Sequence, residues 1–200
     1  METGTTPRIA LTLGDPAGIG PELVAAVLAD DELLATLRPV VLGPAELREA
    51  VAPGLERVER AELAAATGPV WVDASAGTLR AFDLGHAQET CGRAALDALR
   101  LGHELALAGE VDALVTAPVC KEALHLAGEP VEGQTQLLAR WAAADDCQML
   151  AIADRMRVLI ATRHMALREA IDSLTPELVE ARLDLLDRSL RDLGLAERPR

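Results

Sequence analysis

Apolar residues along the chain occur in two kinds of run, short continuous runs and longer runs with helical spacing. The short runs predict strands at 8–13, 39–43, 69–73, 111–119, 148–153 and 157–162. They are continuous rather than alternating, which is typical of strands buried on both faces of a parallel sheet. The longer runs predict helices at 22–30, 45–51, 88–108, 121–127, 134–143 and 175–193. Regular alternation of the two kinds predicts a three-layer α/β fold.

The last predicted helix has the clearest signals at both ends. Thr175 is a natural N-cap, and Pro176 suits the first helical position. Gly194 is expected to end the helix. Between these ends, apolar residues at spacings of four and three form one stripe: Val179, Leu183, Leu186, Leu190 and Leu193. In this type of fold such a helix is expected to lead into a further strand, whereas the sequence ends shortly afterwards. The Pro- and Gly-containing segment 52–69 is the best candidate for an internal boundary, although a weak one.

Composition narrows the class of protein. Half of the 200 residues are apolar but only 2% are aromatic, so Ala, Leu and Val are expected to fill the core. The formal charge of −13 disfavours nucleic acid and anionic membranes as partners. The longest apolar runs are too short to span a membrane. Three cysteines without metal-type spacing, and a start without the features of a secretory leader, predict reduced thiols in the cytoplasm.

The stretch "GDPAGIGP" (14–21) lies between a predicted strand and a predicted helix. The free N–H groups and the dipole of a helix start attract anions. However, the glycine spacing matches neither G-x-G-x-x-G nor G-x-x-x-x-G-K-[ST], the established phosphate-binding patterns. Spacing alone therefore favours a chain-reversing turn, in which Gly18 and Gly20 allow close approach, over a phosphate cradle. Asp15 is expected either to orient a polar group or to cap the turn.

A second loop follows the predicted strand in "VDALVTAPVCK" (111–121). Thr116 and Lys121 are placed near the carboxyl end of a strand expected to be buried, where ligands of open α/β sheets collect. Lys121 is the single lysine among 19 basic residues. Its ammonium group is suited to a phosphate, but an ordinary surface lysine is an equally good interpretation. Cys120 lacks an obvious base and is interpreted as a small buried side chain.

Two further positions carry polar groups suited to a site. Gln134 and Thr135 stand at a predicted helix start, where they can either bind substrate oxygen atoms or simply cap the helix. His164 directly follows a predicted buried strand, and a neutral imidazole there is a possible metal ligand. The absence of H-x-x-x-H or H-x-H spacing favours a non-ligand role for His164 when spacing is considered alone.

Taken together, the segments resemble one enzyme family. "GDPAGIGPE", "VDALVTAPVCK", "AGEPVEGQTQLLA", "MLAIADRMRVLIATRHMALREA" and "LTPELV" are similar, in this order, to motifs of the 4-hydroxythreonine-4-phosphate dehydrogenases. The resemblance implies a three-layer α/β/α fold of the isocitrate and isopropylmalate dehydrogenase type, incomplete at its C-terminus. Residues 1–200 would form the N-terminal and central portion of a two-lobed enzyme. The family forms homodimers with the active site at the subunit interface.

The resemblance implies a role in pyridoxal phosphate synthesis. The 3-hydroxyl of 4-phosphohydroxy-L-threonine would be oxidised by NAD (or NADP), and the resulting β-keto acid would lose carbon dioxide. A divalent metal (Zn, Mg or Co) would polarise the reacting oxygen. By position, His164 matches a metal ligand of the family, and Gln134 and Thr135 match its substrate-binding His-Thr pair. The resemblance leaves the catalytic acid and base unassigned. The positions expected to line the pocket are Asp15, Gly18, Gly20, Thr116 and Lys121.

Departures from the family pattern leave three functions open. Gln134 stands where the family usually has His, and an amide cannot carry a proton charge. The N-P-H-A-G-E and Y-H-D-Q-G segments, which carry the other metal ligands in the family, do not occur in the sequence. The expected activity of the isolated chain is therefore very low. The alternatives are a dehydrogenase acting on another four-carbon phosphorylated acid or on a dihydrodiol, and a non-enzymatic binding or dimerising module.

Overall fold

The structure is a computed structural model that describes residues 6–75, 79–131, 133–144 and 146–195. The chain divides into two compact units, residues 1–143 and residues 144–200. The segment 52–69, which composition suggested as an internal boundary, lies inside the first unit and contributes a strand and a 3₁₀ helix to it.

The first unit is built on a parallel sheet of five strands in the order β3-β4-β2-β1-β5. The strands are β1 (Arg8–Thr12), β2 (Arg38–Gly43), β3 (Arg57–Val58), β4 (Val70–Asp73) and β5 (Ala113–Thr116). In the register of the sheet, Thr12 pairs with Leu42 on one side and with Thr116 on the other. Strand order therefore changes direction at β1, which is where open parallel sheets bind ligands at their carboxyl ends.

The predicted helices of the first unit are present within a few residues of their expected bounds. They are α1 (Gly20–Leu28), α3 (Ala45–Val51), α4 (Glu89–Leu107), α5 (Lys121–Leu126) and α6 (Gln134–Trp141). Three short elements were not predicted: α2 (Asp31–Leu34), β3 and a 3₁₀ helix (Arg60–Ala65). Each is too short to show a periodic pattern.

Alternate strand side chains face opposite layers of helices. On one face, Ala10 and Leu42 pack with Leu105 of α4. On the other, Leu11 and Trp71 pack with side chains of α1 and α3. Fully buried side chains on both faces confirm the predicted three-layer α/β/α arrangement, with aliphatic residues filling most of the core.

The strand β5 differs from its prediction. It covers Ala113–Thr116 rather than 111–119, and its side chains alternate between exposed and half-buried. Leu114 packs against the core next to α4, whereas Val115 on the opposite face is exposed. The expectation of a strand buried on both faces was wrong because β5 lies at one end of the described sheet and pairs only with β1.

The second unit begins with an antiparallel hairpin of β6 (Leu150–Ala153) and β7 (Met156–Leu159). Ala153 pairs with Met156, so only two residues form the turn. The prediction of two buried strands of the parallel sheet was therefore wrong, since both hairpin strands are largely exposed. Two residues cannot provide the long crossover that parallel neighbours require.

Two helices follow the hairpin, α7 (Leu167–Ser173) and α8 (Pro176–Asp192). Both predicted ends of α8 are confirmed. The Leu178 N–H donates to Thr175 Oγ1 at 3.2 Å. At the other end Gly194 has φ +65°, and the N–H groups of Gly194 and Leu195 donate to carbonyls of the last turn at 2.9 Å. Among the described residues, no helix has the length and apolar character needed to cross a membrane.

Candidate functional site

Two of the loops highlighted by the sequence lie side by side at the carboxyl edge of the sheet. The glycine turn follows β1, and residues 117–120 follow β5. The Asp15 N–H donates to the Pro118 carbonyl at 3.0 Å, and the Ala117 N–H donates to the Thr12 carbonyl at 3.4 Å. These bonds connect the two loops just beyond the paired ends of their strands.

The glycines of the first loop are required by close backbone contacts. Gly14 has φ +72°, and a Cβ there would lie 2.4 Å from the Pro118 carbonyl oxygen. A Cβ at Gly20 would lie 2.0 Å from the Leu13 carbonyl oxygen. The space that a phosphate would need at these two positions is therefore filled by the chain itself, which favours the chain-reversing turn. Gly18 is the exposed glycine of the loop.

Asp15 joins the two loops from a buried position. Its Oδ1 accepts a hydrogen bond from the Ala17 N–H at 2.8 Å, and its carboxylate also accepts from the Cys120 N–H. Burial raises the pKa of Asp15, and the two N–H donors partly oppose that effect. Of the two roles that the sequence left open, capping the turn is the one seen.

Cys91, in the first turn of α4, lies near the same carboxylate. It is fully buried, and burial together with the negative charge of Asp15 raises the pKa of its thiol to about 11. Sequence reasoning assigned nothing to Cys91, because its position beside Asp15 depends on the packing of α4 against the glycine turn. A thiol in this state is inert near neutral pH.

Gln134 ties the start of α6 to the loop after β5. Its Nε2 donates to the Ala117 carbonyl at 3.0 Å. Its Oε1 is buried and has no hydrogen-bond partner within the part of the chain that the structure describes. Thr135, the next residue, is half-buried. The amide thus has one end fixed by the loop and one acceptor unused.

Lys121 is exposed at the first position of α5. Its Cε lies 4.0 Å from the position that a Cβ on Gly133 would occupy, so its side chain extends towards the start of α6. Thr116 is half-buried at the end of β5. The first unit therefore groups a cation, a helix start and hydrogen-bonding side chains around the carboxyl ends of β1 and β5.

His164 belongs to the second unit and does not directly follow a buried strand, as the sequence suggested. β7 ends at Leu159, and His164 lies in the irregular segment before α7. It is exposed and has φ +55°, a conformation that is uncommon for a residue with a side chain. Within residues 6–75, 79–131, 133–144 and 146–195, no three His, Cys, Asp or Glu side chains are grouped to hold a metal ion.

Comparison with known proteins identifies the family. The sequence profile described as "Pyridoxal phosphate biosynthetic protein PdxA" matches residues 27–200. The chain belongs to the PdxA family. This confirms the resemblance found in the ordered motifs.

Curated relatives of this PdxA-family chain are dehydrogenases of phosphorylated four-carbon acids. It is 40% identical over 194 residues to the 4-hydroxythreonine-4-phosphate dehydrogenase of Synechococcus sp. strain JA-3-3Ab, covering 94% of this chain and 56% of the relative. It is 37% identical over 202 residues to the D-threonate 4-phosphate dehydrogenase of Salmonella typhimurium, covering 97% of this chain and 61% of the relative. The chain thus spans only a little more than half the length of these relatives.

Solved structures of two dehydrogenases share the fold. A 4-hydroxythreonine-4-phosphate dehydrogenase from Burkholderia phymatum matches with a TM-score of 0.83 at 31% identity, covering 98% of this chain and 62% of that chain. A terephthalate 1,2-cis-dihydrodiol dehydrogenase from Burkholderia xenovorans LB400 matches with a TM-score of 0.66 at 25% identity, covering 95% of this chain and 59% of that chain. The α/β fold inferred from the sequence is confirmed.

Proposed function

We propose that this chain is the N-terminal and central portion of a dehydrogenase that oxidises a hydroxyl group of a phosphorylated four-carbon acid. The first candidate substrate is 4-phosphohydroxy-L-threonine, whose 3-hydroxyl would become a ketone before carbon dioxide is lost. Membership of the PdxA family and 40% identity to a 4-hydroxythreonine-4-phosphate dehydrogenase support this assignment.

The structural observation that carries the proposal is the bond from Gln134 to the Ala117 carbonyl, which brings the start of α6 onto the carboxyl edge of the sheet. The dipole at that helix start and the nearby Lys121 ammonium favour an anionic group such as a phosphate. Gln134 and Thr135 would contact the substrate. The walls of the substrate pocket would be formed by Asp15, Gly18, Gly20 and Thr116.

NAD (or NADP) is the hydride acceptor implied by the dehydrogenase family. When bound, the nicotinamide ring would accept the hydride from the substrate carbon. The glycine turn does not fit a cradle for its pyrophosphate, because the open faces of Gly14 and Gly20 are filled by backbone. We therefore assign no NAD-binding residue in this chain.

A divalent metal (Zn, Mg or Co) is also implied, with His164 as one ligand. The imidazole of His164 is exposed and could bind a metal ion. The described residues, however, contain no group of three His, Cys, Asp or Glu side chains, which a metal site needs. The donor set of the described residues does not fit a complete metal site, and we assign no step of the reaction to a metal.

D-threonate 4-phosphate is the second candidate substrate. The Salmonella typhimurium relative that is named for it is 37% identical and covers 97% of this chain. The two phosphorylated acids differ at C2, which carries an ammonium group in one and a hydroxyl in the other. A dihydrodiol is a weaker candidate, because it lacks the phosphate that the α6 start and Lys121 favour.

We further propose a homodimer in the cytoplasm that does not bind nucleic acid or membranes. Exposed apolar side chains of the second unit, including Met156, Ile171 and Leu183, support an association surface. The three cysteines are unpaired, which suits a reducing compartment. The net charge of −13 opposes association with nucleic acid and anionic lipid.

Calorimetric titration of the chain with 4-phosphohydroxy-L-threonine and with D-threonate 4-phosphate tests the proposed function. We expect both acids to bind more tightly than inorganic phosphate, with the true substrate binding more tightly than the other. NAD reduction with added divalent metal is expected to be very slow, because the chain covers 56% of the Synechococcus relative. Affinity no greater than that of inorganic phosphate would favour the non-enzymatic module. Rapid turnover would instead show that the chain holds a complete site.

A further inference from the structure

A cavity at the start of α4 is lined by two arginines. Its volume is about 470 Å³, which is within the range of small-molecule sites. The lining residues are Arg80, Ala81, Glu89, Thr90 and Arg93. Sequence reasoning assigned no role to them, and the proposed function does not use them.

The cavity lies beside the glycine turn at the carboxyl edge of the sheet. The Gly85 N–H donates to the Ala17 carbonyl at 2.8 Å, which holds the segment before α4 on that turn. The Arg80 N–H donates to Thr90 Oγ1 at 3.0 Å, so the backbone of Arg80 is fixed to the first turn of α4. Arg93 follows Thr90 by three residues and lies on the same face of the helix. The two arginines are therefore held on one side of the α4 start.

The guanidinium groups of Arg80 and Arg93 are exposed and have no hydrogen bond or ion pair within the described residues. Every other arginine of the described first unit is engaged. Some, such as Arg8, donate to a backbone carbonyl, others, such as Arg60, pair with a carboxylate, and Arg100 lies over an aromatic ring. The two arginines of this cavity are thus the ones left with unused donors that a ligand can reach from solvent.

The lining of the cavity is positively charged although the chain is acidic. Two guanidinium groups outnumber the carboxylate of Glu89, whereas the formal charge of the whole chain is −13. Burial raises the pKa of Asp97, one turn further along α4, and the charge of Arg93 partly opposes that effect without an ion pair between them. The dipole of α4 adds positive potential at its first turn. An anion is therefore favoured in this cavity.

The kind and number of donors favour a phosphoryl group over a carboxylate. A phosphate monoester carries a charge of about −1.5 to −2 at pH 7, which matches two guanidinium groups, whereas a carboxylate matches one. Guanidinium groups bind phosphoryl oxygens through two parallel N–H donors. Because Thr90 Oγ1 accepts the Arg80 N–H, its own hydroxyl hydrogen remains as a further donor.

We propose that Arg80, Arg93 and the Thr90 hydroxyl bind a phosphoryl group of a phosphorylated metabolite at the start of α4. This site is separate from the α6 start, where the proposed function places the substrate phosphate, and it does not depend on that proposal. The phosphoryl group can come from a nucleotide or from a phosphorylated acid, and both present the same oxygen atoms to the arginines.

Modification by phenylglyoxal tests the proposal, because this reagent attacks accessible guanidinium groups and mass spectrometry of peptides gives the rate at each arginine. The probes on the intact chain are ADP and 4-phosphohydroxy-L-threonine, with adenosine and L-threonine as unphosphorylated controls. We expect a phosphorylated probe to slow the modification of Arg80 and Arg93 about 3- to 10-fold. Arg155, which is exposed in the hairpin turn of the second unit, should be unaffected. The probe that protects identifies the source of the phosphoryl group.

Substitutions show whether the two arginines act together. Arg93→Gln should weaken the binding that protects Arg80 about 3- to 10-fold, because one of the two guanidinium groups is lost. Arg93→Lys keeps the charge without the paired donors and should lose less. Arg155→Gln makes the same change in charge away from the cavity and should leave the protection of Arg80 unchanged.

Three results would overturn the inference. They are equal modification with and without both phosphorylated probes, equal protection of Arg155, and unchanged protection of Arg80 in Arg93→Gln. Calorimetric binding of the phosphorylated acids keeps this failure distinct from that of the proposed function. Acid binding without protection by either probe rejects the arginine site alone, whereas protection by ADP without acid binding rejects the proposed function alone.

Discussion

The two units of the chain have equally well-formed helices but very different interiors. In the first unit, Trp71, Leu99 and Leu105 are completely buried. In the second, α8 is capped at both ends, yet Leu183 is 59% exposed. Leu190 is the one buried large apolar side chain of the described second unit. Caps are local and need only the adjacent residues, whereas burial needs a facing surface. The comparison shows that a well-specified helix does not by itself make a core.

The largest expected difference is in amide hydrogen exchange. A helix of the length of α8 is marginal in water without packing, so its amides should exchange through local opening that costs less than about 2 kcal/mol. Amides of β1 and the middle of α4 should exchange only through opening that costs more than about 5 kcal/mol. Exchange measured by mass spectrometry on the intact chain gives both values. Equal protection of α4 and α8 would show that the second unit has a core of its own.

Removal of a leucine side chain should affect the two units unequally. Leu99→Ala leaves a cavity in the core and should lower the free energy of unfolding by about 2–5 kcal/mol. Leu183→Ala should change it by less than about 0.5 kcal/mol, because the side chain is mostly in water. Urea unfolding followed by circular dichroism reports on the helices of both units, and tryptophan fluorescence reports on the first unit, which contains both Trp71 and Trp141. Leu107→Ala, at an exposed position of the same helix, is the matched control for Leu99.

Thiol labelling compares the same two units kinetically. The thiol of Cys91 is buried with a pKa of about 11, whereas Cys147 in the second unit is half-buried. Relative to a thiol at its ordinary pKa of 9.0, Cys91 has about 100-fold less thiolate at neutral pH. Iodoacetamide should therefore label Cys147 first, with any labelling of Cys91 rising as the pH approaches 11. Mass spectrometry of peptides at several times gives the two rates, and comparable rates at neutral pH would contradict the burial of Cys91.

Glycine substitutions give the smallest expected difference in stability between the two units. Gly20→Ala forces a Cβ against the Leu13 carbonyl and should destabilise the first unit by about 1–3 kcal/mol. Gly194→Ala places a methyl group in open space but at φ +65°, so it should cost about 1–2 kcal/mol, confined to the end of α8. Gly68→Ala, where a Cβ meets no described atom within 4 Å, is the control. Circular dichroism during thermal unfolding measures all three, and a neutral Gly20→Ala would disprove the tight turn.

Sequence reasoning succeeded where the signal is local. The ends of α8 follow from Thr175 and Gly194, whose effects reach only a few residues. The convergence of the glycine turn with the loop after β5 was indicated by position at the ends of two strands. Strand pairing is not local, so the antiparallel pairing of β6 with β7 was not predicted. The short segment between the two strands nevertheless excludes a parallel connection.

In the candidate site, too, the sequence indicates local features but not those that depend on contacts between distant segments. The resemblance predicts Gln134 as a substrate position. The sequence could not show that its Nε2 donates to the Ala117 carbonyl while its Oε1 is buried without a partner among the described residues. Likewise, the position of His164 beyond an exposed hairpin depends on where β7 ends. The burial of Asp15 beside Cys91 arises from packing between distant segments and leaves no pattern along the chain.

The single lysine of the chain is a convenient site for chemical labelling. Amine-reactive dyes attach to lysine side chains and the α-amino group, so on this chain the single side-chain target is Lys121. A fluorophore placed there would sit close to Gly133, at the opening of α6. Its emission would then report the arrival of any small molecule at that edge of the sheet, with no engineered cysteine required.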